Sequence, residues 1–253
     1  MRSPQPQTVH DVVPGVHLVT HGHTNCYVVE GEDGVTLVDA AFPATWSAVR
    51  QCLADVGRSA SEVRGLVLTH GHFDHVGFAS RLQRCYGVEV WASAGDAYIV
   101  RHPYRYRPER PRLSYPPLHP RSWPVLGSMV LAGALRVPGV TADHLVEGRA
   151  SLDLPGRPEI VPAPGHTDGE NVVHLPDHGA VITGDALVTL DPYTGRRGPR
   201  AVARAATHDA GLALASLDAV AALDVAVVLP GHGEPWFQGT RAAVDAARAA
   251  GVA

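Results

Sequence analysis

The chain has 253 residues, of which 45% are hydrophobic and 18% are charged, and its formal net charge is −4. All 21 cationic residues are arginines, so the sequence contains no lysine. A Walker-A phosphate loop, a Schiff-base amine and a pyridoxal-phosphate anchor each require lysine, and these chemistries are therefore excluded. The 15 histidines favour metal or acid–base chemistry, because neutral imidazole is the commonest metal ligand.

Several features indicate a soluble protein of a reducing compartment. The near-neutral charge argues against a module that binds nucleic acid through phosphate contacts. The three cysteines, Cys26, Cys52 and Cys85, form no C-x-x-C pair, which is typical of a cytoplasmic protein. No apolar signal core follows Met1, and acidic residues interrupt the most apolar long stretch, 211–230. We therefore expect a cytoplasmic protein with no membrane and no nucleic-acid partner.

Strands and helices are predicted along the whole chain. Runs rich in β-branched residues predict strands, and apolar residues at helical spacing predict helices. The predicted strands are 12–20, 26–30, 35–38, 63–69, 88–91, 160–162, 171–175, 180–183 and 225–229. The predicted helices are 43–57, 76–85, 95–101, 207–223 and 241–250. This mixture predicts one layered α/β (α+β) domain over residues 1–253, with no linker that divides it.

The segment 101–127 departs from this pattern. It holds six arginines, seven prolines and three tyrosines but a single acidic residue, Glu109. Proline at this density excludes a regular helix and a central strand, so we expect an irregular insertion. Long irregular excursions inside a domain are commonly functional. The insertion could cover a substrate, remain a solvated loop or form a subunit contact in a homodimer.

The strongest chemical signal is the motif Thr69-His70-Gly71-His72-Phe73-Asp74-His75. Its four potential metal ligands come directly after a predicted strand and before a predicted helix. His70 and His72 alternate, so both imidazoles can face one point, while Asp74 and His75 can face a second point nearby. A polar loop with a helix cap is the plainer alternative, but this motif is far more specific than a single histidine.

Three shorter motifs repeat this design, each placing glycine beside a ligand-type residue after an apolar run. They are Pro164-Gly165-His166-Thr167, Thr183-Gly184-Asp185 and Pro230-Gly231-His232-Gly233. A single histidine after a Pro-Gly turn is more often a surface residue, but three such turns beside the first motif indicate one common site. Strand ends that converge on one edge of a sheet are where active sites are commonly assembled.

Sorted by chemistry, these residues predict a site for two metal ions. A three-histidine set leaves an open coordination position, as catalytic zinc requires. Its members are His70, His72 and His166. A second set combines one carboxylate with two imidazoles, namely Asp74, His75 and His232. The two carboxylate oxygens of Asp185 can bridge both ions. Because every ligand atom is nitrogen or oxygen, we expect two Zn²⁺ per chain, with iron or manganese as alternatives.

Together, these motifs resemble those of the metallo-β-lactamase-fold superfamily. The ligand motifs span residues 70–232 in matching order, and the early strand–turn–strand pattern also fits. The resemblance implies a four-layer αββα sandwich with the metal centre at one edge, and all seven ligand positions of its dinuclear members are filled. It also implies that Asp39, at the end of an early strand, supports the metal site from outside the ligand set. Ala40-Ala41 replaces the Thr-Gly that commonly follows in the family.

Departures from the subfamily patterns narrow the implied activity. True β-lactamases of this fold have no aspartate at the position of Asp185. The chain resembles glyoxalase II, without its helical C-terminal domain, and homoserine-lactone lactonases, although Val188 stands where many lactonases have tyrosine. Persulfide dioxygenases share the motifs but use one iron, which His72 or a neighbour, His166 and Asp185 would hold. We therefore expect a hydrolase of a small ester, lactone or thioester, with a mononuclear iron persulfide dioxygenase as the alternative and a β-lactamase or phosphodiesterase less favoured.

In the implied mechanism, the metals present a water molecule as hydroxide, which attacks a carbonyl centre. Asp74 is the predicted catalytic residue, which orients the hydroxide and passes its proton to the leaving group. A serine hydrolase is not supported, because the G-x-S-x-G motif is absent. We predict substrate contacts from His23, Asn25, Tyr106 and Tyr193. The expected partner is a small-molecule substrate, which could be an anion held by arginines of the insertion.

Overall fold

The computed structural model describes residues 5–253 and contains two main sheets. The first sheet has seven strands in sequential order. They are β1 (Gln7–Val13), β2 (Val16–His21), β3 (Thr24–Gly31), β4 (Gly34–Val38), β5 (Val63–Val67), β6 (Glu89–Ser93) and β7 (His144–Val146). The strands from β1 to β4 pair antiparallel, and those from β4 to β7 pair parallel.

The second sheet has five strands, and a two-stranded ribbon accompanies it. The chain supplies them as β8 (Ala150–Ser151), β9 (Glu159–Pro162), β10 (Asn171–Leu175), β11 (Ala180–Gly184), β12 (Val188–Leu190), β13 (Arg197–Arg200) and β14 (Val227–Pro230). The order in the five-stranded sheet is β14-β11-β10-β9-β8, and β12 pairs with β13 in the ribbon. The pair β11–β14 is parallel, whereas β10 is antiparallel to both of its neighbours.

In the described part of the chain, seven α-helices connect and cover the sheets. They are α1 (Trp46–Asp55), α2 (Ala79–Tyr86), α3 (Ala97–Arg101), α4 (Tyr115–Leu118), α5 (Trp123–Ala132), α6 (Ala210–Ala221) and α7 (Gly239–Ala250). Within residues 5–253, no helix has the length and apolar character needed to cross a bilayer.

Three buried apolar clusters separate four layers. The sheets pack on each other through side chains that include Leu18, Val29, Val38, Val173, Ile182 and Leu229. The outer face of the first sheet packs on α1 and α2, with Leu37, Leu66, Trp46, Leu53 and Leu82 in that cluster. The outer face of the second sheet packs on α6 and α7, with Val181, Val228, Leu217 and Val244. Alternate side chains of a strand point to opposite faces, so both faces of each sheet are buried. The predicted αββα sandwich is therefore confirmed.

The predicted strand 12–20 is wrong in one respect, because the structure divides this region into β1 and β2. Pro14-Gly15 forms the turn between them, and Gly15 has a φ of +76°. Glycine adopts this left-handed conformation without a steric penalty, so the chain can reverse there. The apolar run continues on both sides of the turn, which is why its residues resemble one strand.

The prediction of an irregular insertion at 101–127 is also wrong in part. The structure contains the short helix α4 and the ten-residue helix α5, which begins inside the segment and continues to Ala132. Pro124 occupies the first turn of α5, where a backbone N–H has no partner within the helix and proline is tolerated. Val125, Met129 and Ala132 pack α5 against Phe42. The insertion is therefore anchored to the sandwich by a buried helical face.

Candidate metal centre

One edge of the sandwich collects the ligand-type residues of both sheets. The pairs β4–β5 and β11–β14 are parallel, and β9 runs in the same direction as β11 because both are antiparallel to β10. In each sheet, the segments that follow these strands therefore leave at the same edge. In chain order they carry Asp39, the 69–75 motif, His166, Asp185 and His232. The segments from the first sheet lie beside those from the second sheet, so residues far apart in the sequence share one site.

The first group of side chains, which we call the imidazole group, consists of His70, His72 and His166. One nitrogen of each lies within 4.8 Å of the others, and all three residues are buried. Nδ1 of His72 is 3.0 Å from Nε2 of His166. Burial lowers the pKa of His166 to about 4 and also lowers the pKa values of His70 and His72. The three imidazoles are therefore neutral at physiological pH, which is the form that binds a metal.

The second group, which we call the mixed group, consists of Asp74, His75 and His232, again with one potential ligand atom each within 4.8 Å. Nε2 of His232 is 3.4 Å from Oδ2 of Asp74. Burial disfavours a charged imidazole, but Asp185 and Asp74 raise the pKa of His232 to about 10. Asp39 and Asp185 likewise raise the pKa of His75 against the effect of burial. Carboxylates thus make this group more favourable to positive charge than the imidazole group is.

Asp185 lies between the two groups. Its Oδ2 is 3.5 Å from Nε2 of His166 and 3.3 Å from Nε2 of His232, while its Oδ1 is 3.4 Å from Nε2 of His75. Although burial opposes ionisation, His232 and His75 hold the pKa of Asp185 well below its usual range. The carboxylate of Asp185 can therefore contact an ion in either group, as a bridging ligand does.

Asp39 lies behind the mixed group, at the end of β4. Its Oδ2 contacts Nδ1 of His75 at 2.8 Å, and its Oδ1 accepts a hydrogen bond from the backbone N of Thr69 at 2.8 Å. Asp39 has a left-handed φ of +62°, which is uncommon for a residue other than glycine. The contact with His75 favours the tautomer that carries hydrogen on Nδ1, so that Nε2 is left to face the centre.

Neutral groups hold two further imidazoles in the same way. Oγ1 of Thr207 is 3.2 Å from Nδ1 of His166, and the backbone carbonyl of His23 accepts a hydrogen bond from Nδ1 of His232 at 2.8 Å. Several buried atoms that face the centre have no hydrogen-bond partner among the described residues. They are Nε2 of His70, His75 and His232, and Oδ1 of Asp185. A set of neutral imidazole nitrogens and carboxylate oxygens fits divalent metal ions such as zinc.

Glu170 is a buried acidic residue of this centre that sequence reasoning missed. Its Oε1 accepts a hydrogen bond from the backbone N of Asp185 at 3.0 Å, and its Oε2 is 3.3 Å from Nδ1 of His70. Burial, together with the charge of Asp185, raises the pKa of Glu170. The only signal in the sequence is a single acid in front of an apolar strand, which a surface turn would also show.

Asp96 was predicted only as part of a helix, but its carboxylate ties two loops of the centre together. It accepts hydrogen bonds from the backbone N of Gly71 at 2.9 Å, from the backbone N of Gly169 at 2.8 Å and from Oγ1 of Thr167 at 2.8 Å. Burial raises the pKa of Asp96 to about 6, although these hydrogen bonds favour the charged form. The loop of His70 and His72 is thereby fixed against the loop of His166.

Tyr106 and Tyr193, both predicted to contact substrate, lie beside the two groups. The ring of Tyr106 packs on the imidazole of His72 with centroids 3.7 Å apart. Both tyrosines line a narrow cavity of about 20 Å³ together with Asp74, Asp185 and other residues. Burial raises the pKa of Tyr193 to about 12 and also raises the pKa of Tyr106.

The structure corrects the predicted role of Asn25. Its side chain is buried, and its Nδ2 donates to the carbonyls of Pro230 and Gly233, each at 2.8 Å. Because both amide hydrogens are used in this way, Asn25 holds the turn that carries His232 and has no donor left for a substrate. The side chain of His23 lines neither of the two cavities beside the groups, and its observed contribution is its backbone carbonyl.

With this geometry in place, comparison with known proteins decides the family. The model of the metallo-beta-lactamase superfamily matches residues 19–232. The chain belongs to the metallo-beta-lactamase superfamily. The family match covers the motifs described above from His70 to His232, and both the resemblance inferred from the sequence and the fold class are confirmed.

Individual members of the superfamily are similar over different lengths. The probable metallo-hydrolase YflN of Bacillus subtilis (strain 168) is 24% identical over 245 residues, which cover 89% of this chain and 86% of YflN. A hydroxyacylglutathione hydrolase of Cereibacter sphaeroides (strain ATCC 17029 / ATH 2.4.9) is 29% identical over 160 residues, which cover 63% of this chain and 45% of that protein. This chain therefore matches less than half the length of the latter.

Among solved structures, the metallo-beta-lactamase family protein TTHA1429 from Thermus thermophilus is similar, with a TM-score of 0.65 and 25% identity. The match covers 92% of this chain and 78% of that one. Superfamily membership makes the chain an enzyme of the metallo-hydrolase class, with histidine and aspartate groups that could hold metal ions.

Proposed function

We propose that the chain is a dinuclear metallo-hydrolase that cleaves a small ester, lactone or thioester. The observation that carries this proposal is the pair of buried ligand groups that share Asp185. The imidazole group and the mixed group would each hold one divalent cation, and their nitrogen and oxygen donors favour zinc, with iron or manganese as alternatives. Two bound cations supply Lewis acidity and lower the pKa of a water molecule toward neutrality.

Asp74 is the residue that we assign to proton transfer. It lies in the mixed group, 3.4 Å from Nε2 of His232, and it lines the narrow cavity. A carboxylate at this place can orient the attacking water, accept its proton and deliver that proton to the leaving group. Asp74 would also be a ligand, so all seven ligand-type residues would hold the cations.

Tyr193 and Tyr106 are placed to bind the carbonyl oxygen of the substrate. Both line the cavity that contains Asp74, and burial raises both of their pKa values. Their phenols therefore keep their hydrogens at neutral pH. A phenol hydroxyl can donate a hydrogen bond to the oxygen on which negative charge develops, which stabilises the transition state.

The choice of a thioester among the proposed substrates has separate support. One relative of this chain is a hydroxyacylglutathione hydrolase, which is by its name an enzyme that acts on a glutathione thioester. An ester, lactone or thioester presents the same reacting group, which is an acyl carbon with a leaving group. Attack on any of the three can therefore use the same acid–base and hydrogen-bonding residues.

A mononuclear iron persulfide dioxygenase is the alternative function. His166 and Asp185 could serve as two of its ligands, since Nε2 and Oδ2 are 3.5 Å apart. A single ion there would leave the mixed group of Asp74, His75 and His232 without an ion, although its three potential ligand atoms lie within 4.8 Å of one another. This second complete set of ligands favours the dinuclear centre.

A metal-quantified activity screen tests the proposed function. The panel contains lactones, esters, thioesters, phosphodiesters and β-lactams, and metal content is measured on the same samples. We expect about two zinc ions per chain and turnover of an acyl substrate. One iron per chain, with oxygen uptake on glutathione persulfide, would establish the alternative function and overturn the hydrolase.

The Asp74→Asn variant tests the proton-transfer role. Asparagine keeps an oxygen for coordination but cannot accept the proton, so we expect kcat to fall by about 100-fold or more. Asp218→Asn is the control, because this exposed residue pairs with Arg248 on the helical surface. Full turnover by Asp74→Asn at wild-type metal content would show that another group moves the proton.

A further inference from the structure

A second and larger cavity lies against the imidazole group. Its volume is about 240 Å³, and His72 and His166 form part of its wall. Tyr98, Ile99 and Tyr106 give the cavity apolar and aromatic surface. A substrate whose carbonyl reaches the metal centre could extend part of its structure into this space.

The charged residues of this cavity are unequally paired. The two acidic side chains that line it, those of Asp96 and Asp168, have partners: Asp96 accepts three hydrogen bonds, and Asp168 contacts Nδ1 of His208 at 2.8 Å. Arg105 and Arg107 also line the cavity, and neither guanidinium has an ion pair or hydrogen bond with another residue in 5–253. The cavity therefore presents two unpaired positive charges.

We propose that this cavity binds a carboxylate of the substrate through Arg105 and Arg107. The proposal rests on the proposed function, and it names the substrate class as an acyl compound that carries a carboxylate a few bonds from the reacting carbonyl. Guanidinium groups bind carboxylates through charge-assisted hydrogen bonds. Tyr98 and Ile99 pack against the apolar chain between the carboxylate and the carbonyl.

The experiment uses matched substrates and the double variant Arg105→Ala/Arg107→Ala. One pair consists of an adipoyl thioester of a neutral thiol and its analogue in which a methyl ketone replaces the carboxylate. A second pair places the carboxylate, or its methyl ketone replacement, on the thiol. The cavity would accept the carboxylate from either the acyl part or the thiol part of the substrate. For the pair that matches, we expect the double variant to raise the KM of the carboxylate substrate roughly tenfold and to leave the KM of its neutral analogue unchanged. Arg136→Ala is the control, because Arg136 is exposed and does not line the cavity.

The outcomes separate this proposal from the proposed function. The wild-type protein could cleave both members of each pair, while the double variant changes the KM of both members equally. This result would overturn the carboxylate site and leave the hydrolase intact. If metal-loaded wild-type protein cleaves no acyl substrate, the hydrolase fails, and calorimetry with adipate then decides the cavity. Adipate binding that the double variant loses supports the site, whereas equal binding or no binding to both proteins overturns it.

A different observation supports a second proposal, which concerns Glu170. Its Oε2 is buried, 3.3 Å from Nδ1 of His70, and has no hydrogen-bond partner among the described residues. Oγ1 of Thr69 lies 3.1 Å from Nδ1 of His70, and because it donates its own hydrogen to Asp39, it can also only accept from that ring. We infer that Glu170 is a positioning residue, which together with Thr69 holds His70 in the tautomer with hydrogen on Nδ1 so that Nε2 faces a metal.

Glu170→Gln tests this role, because neither orientation of the new amide fits. If the NH₂ of the glutamine faces His70, it lies against the Nδ1–H of that ring, and both groups are donors. If the amide is reversed, its NH₂ lies against the backbone N–H of Asp185, and again both groups are donors. We expect roughly tenfold weaker binding of one of the two zinc ions and a mixed tautomer of His70 in ¹⁵N NMR spectra. Glu159→Gln, on the outer part of β9, is the control.

The tautomer of His70 can also be measured in the wild-type protein, so this test does not require that the variant folds. Wild-type His70 with its hydrogen on Nε2 in the metal-free protein would overturn the assignment. Unchanged zinc affinity and an unchanged tautomer in a folded Glu170→Gln protein would overturn it as well. A purely structural role would lower the melting temperature of the variant without altering either readout.

Discussion

The imidazole group and the mixed group lie side by side, but they differ in charge and in what holds their rings. The imidazole group has no acidic member, and burial lowers the pKa values of its three histidines. The mixed group contains Asp74 and is backed by Asp39, and carboxylates raise the pKa values of both of its histidines. One edge of the fold therefore offers a neutral site beside an anionic one, and protons compete with a metal mainly at the second.

Asp185→Asn removes the residue that the two groups share, and we expect the largest effect from it. One carboxylate oxygen of Asp185 approaches His75, and the other approaches His166 and His232. Loss of this charge should weaken both metal sites and lower kcat/KM by about 100-fold or more. Metal content after dialysis and steady-state kinetics measure the effect. If only one ion were lost, Asp185 would belong to one group alone.

Asp39→Asn should lower the metal affinity of the mixed group much more than that of the imidazole group. Asp39 contacts Nδ1 of His75 directly, whereas it reaches the imidazole group only through Thr69, whose Oγ1 lies 3.1 Å from Nδ1 of His70. We expect affinity for the ion of the mixed group to fall by about 10- to 100-fold, while the ion of the imidazole group is retained. A metal titration that resolves two binding steps provides the measurement. An equal loss in both steps would contradict the assignment of Asp39 to the mixed group.

Acid should also act on the two groups unequally. The pKa of His232 is raised to about 10, so below that pH a metal must displace a proton from this ring. The pKa of His166 is lowered to about 4, so above that pH no proton competes. As pH falls from about 8 to about 6, affinity at the mixed group should drop by about tenfold or more per pH unit, because the pKa of His75 is raised as well, with little change at the imidazole group. Titrations at several pH values would reveal a single common pH dependence if this account were wrong.

Thr207→Val should produce the smallest effect. Oγ1 of Thr207 donates to the carbonyl of Val202, so it can only accept from Nδ1 of His166. Valine has nearly the same shape but no acceptor, and a neutral hydrogen bond contributes about 1 kcal/mol, which corresponds to roughly a fivefold loss of affinity at the imidazole group. The same metal titration measures it. A loss as large as that of Asp39→Asn would mean that the charge of the partner is unimportant.

Most of this centre could be predicted because its ligands occupy dense motifs at the ends of apolar strands. Three histidines and an aspartate within residues 70–75 are typical of few structures besides a metal site. The Gly-flanked His166, Asp185 and His232 follow strands that point to one edge. The fold class could be predicted for the same reason, since alternating apolar runs determine which faces of the strands are buried.

The residues that hold the ligands could not be found in this way. Glu170 and Asp96 act through contacts with segments distant in the sequence, and neither lies in a dense motif. Asn25 is a polar residue of the kind that commonly contacts a substrate, but its amide donates hydrogen bonds to two backbone carbonyls of the turn that carries His232. Proline content alone does not reveal the helix α5, because Pro124 lies in its first turn, where proline is tolerated.

The origin of the ligands in both sheets has a mechanical consequence. His70, His72, Asp74 and His75 follow the first sheet, whereas His166, Asp185 and His232 follow the second. Ions bound by ligands from both sheets would cross-link the N-terminal and C-terminal halves of the chain. Sliding or opening of one sheet against the other would then require coordination bonds to break, so the metal load would govern how readily the sandwich comes apart as well as its chemistry.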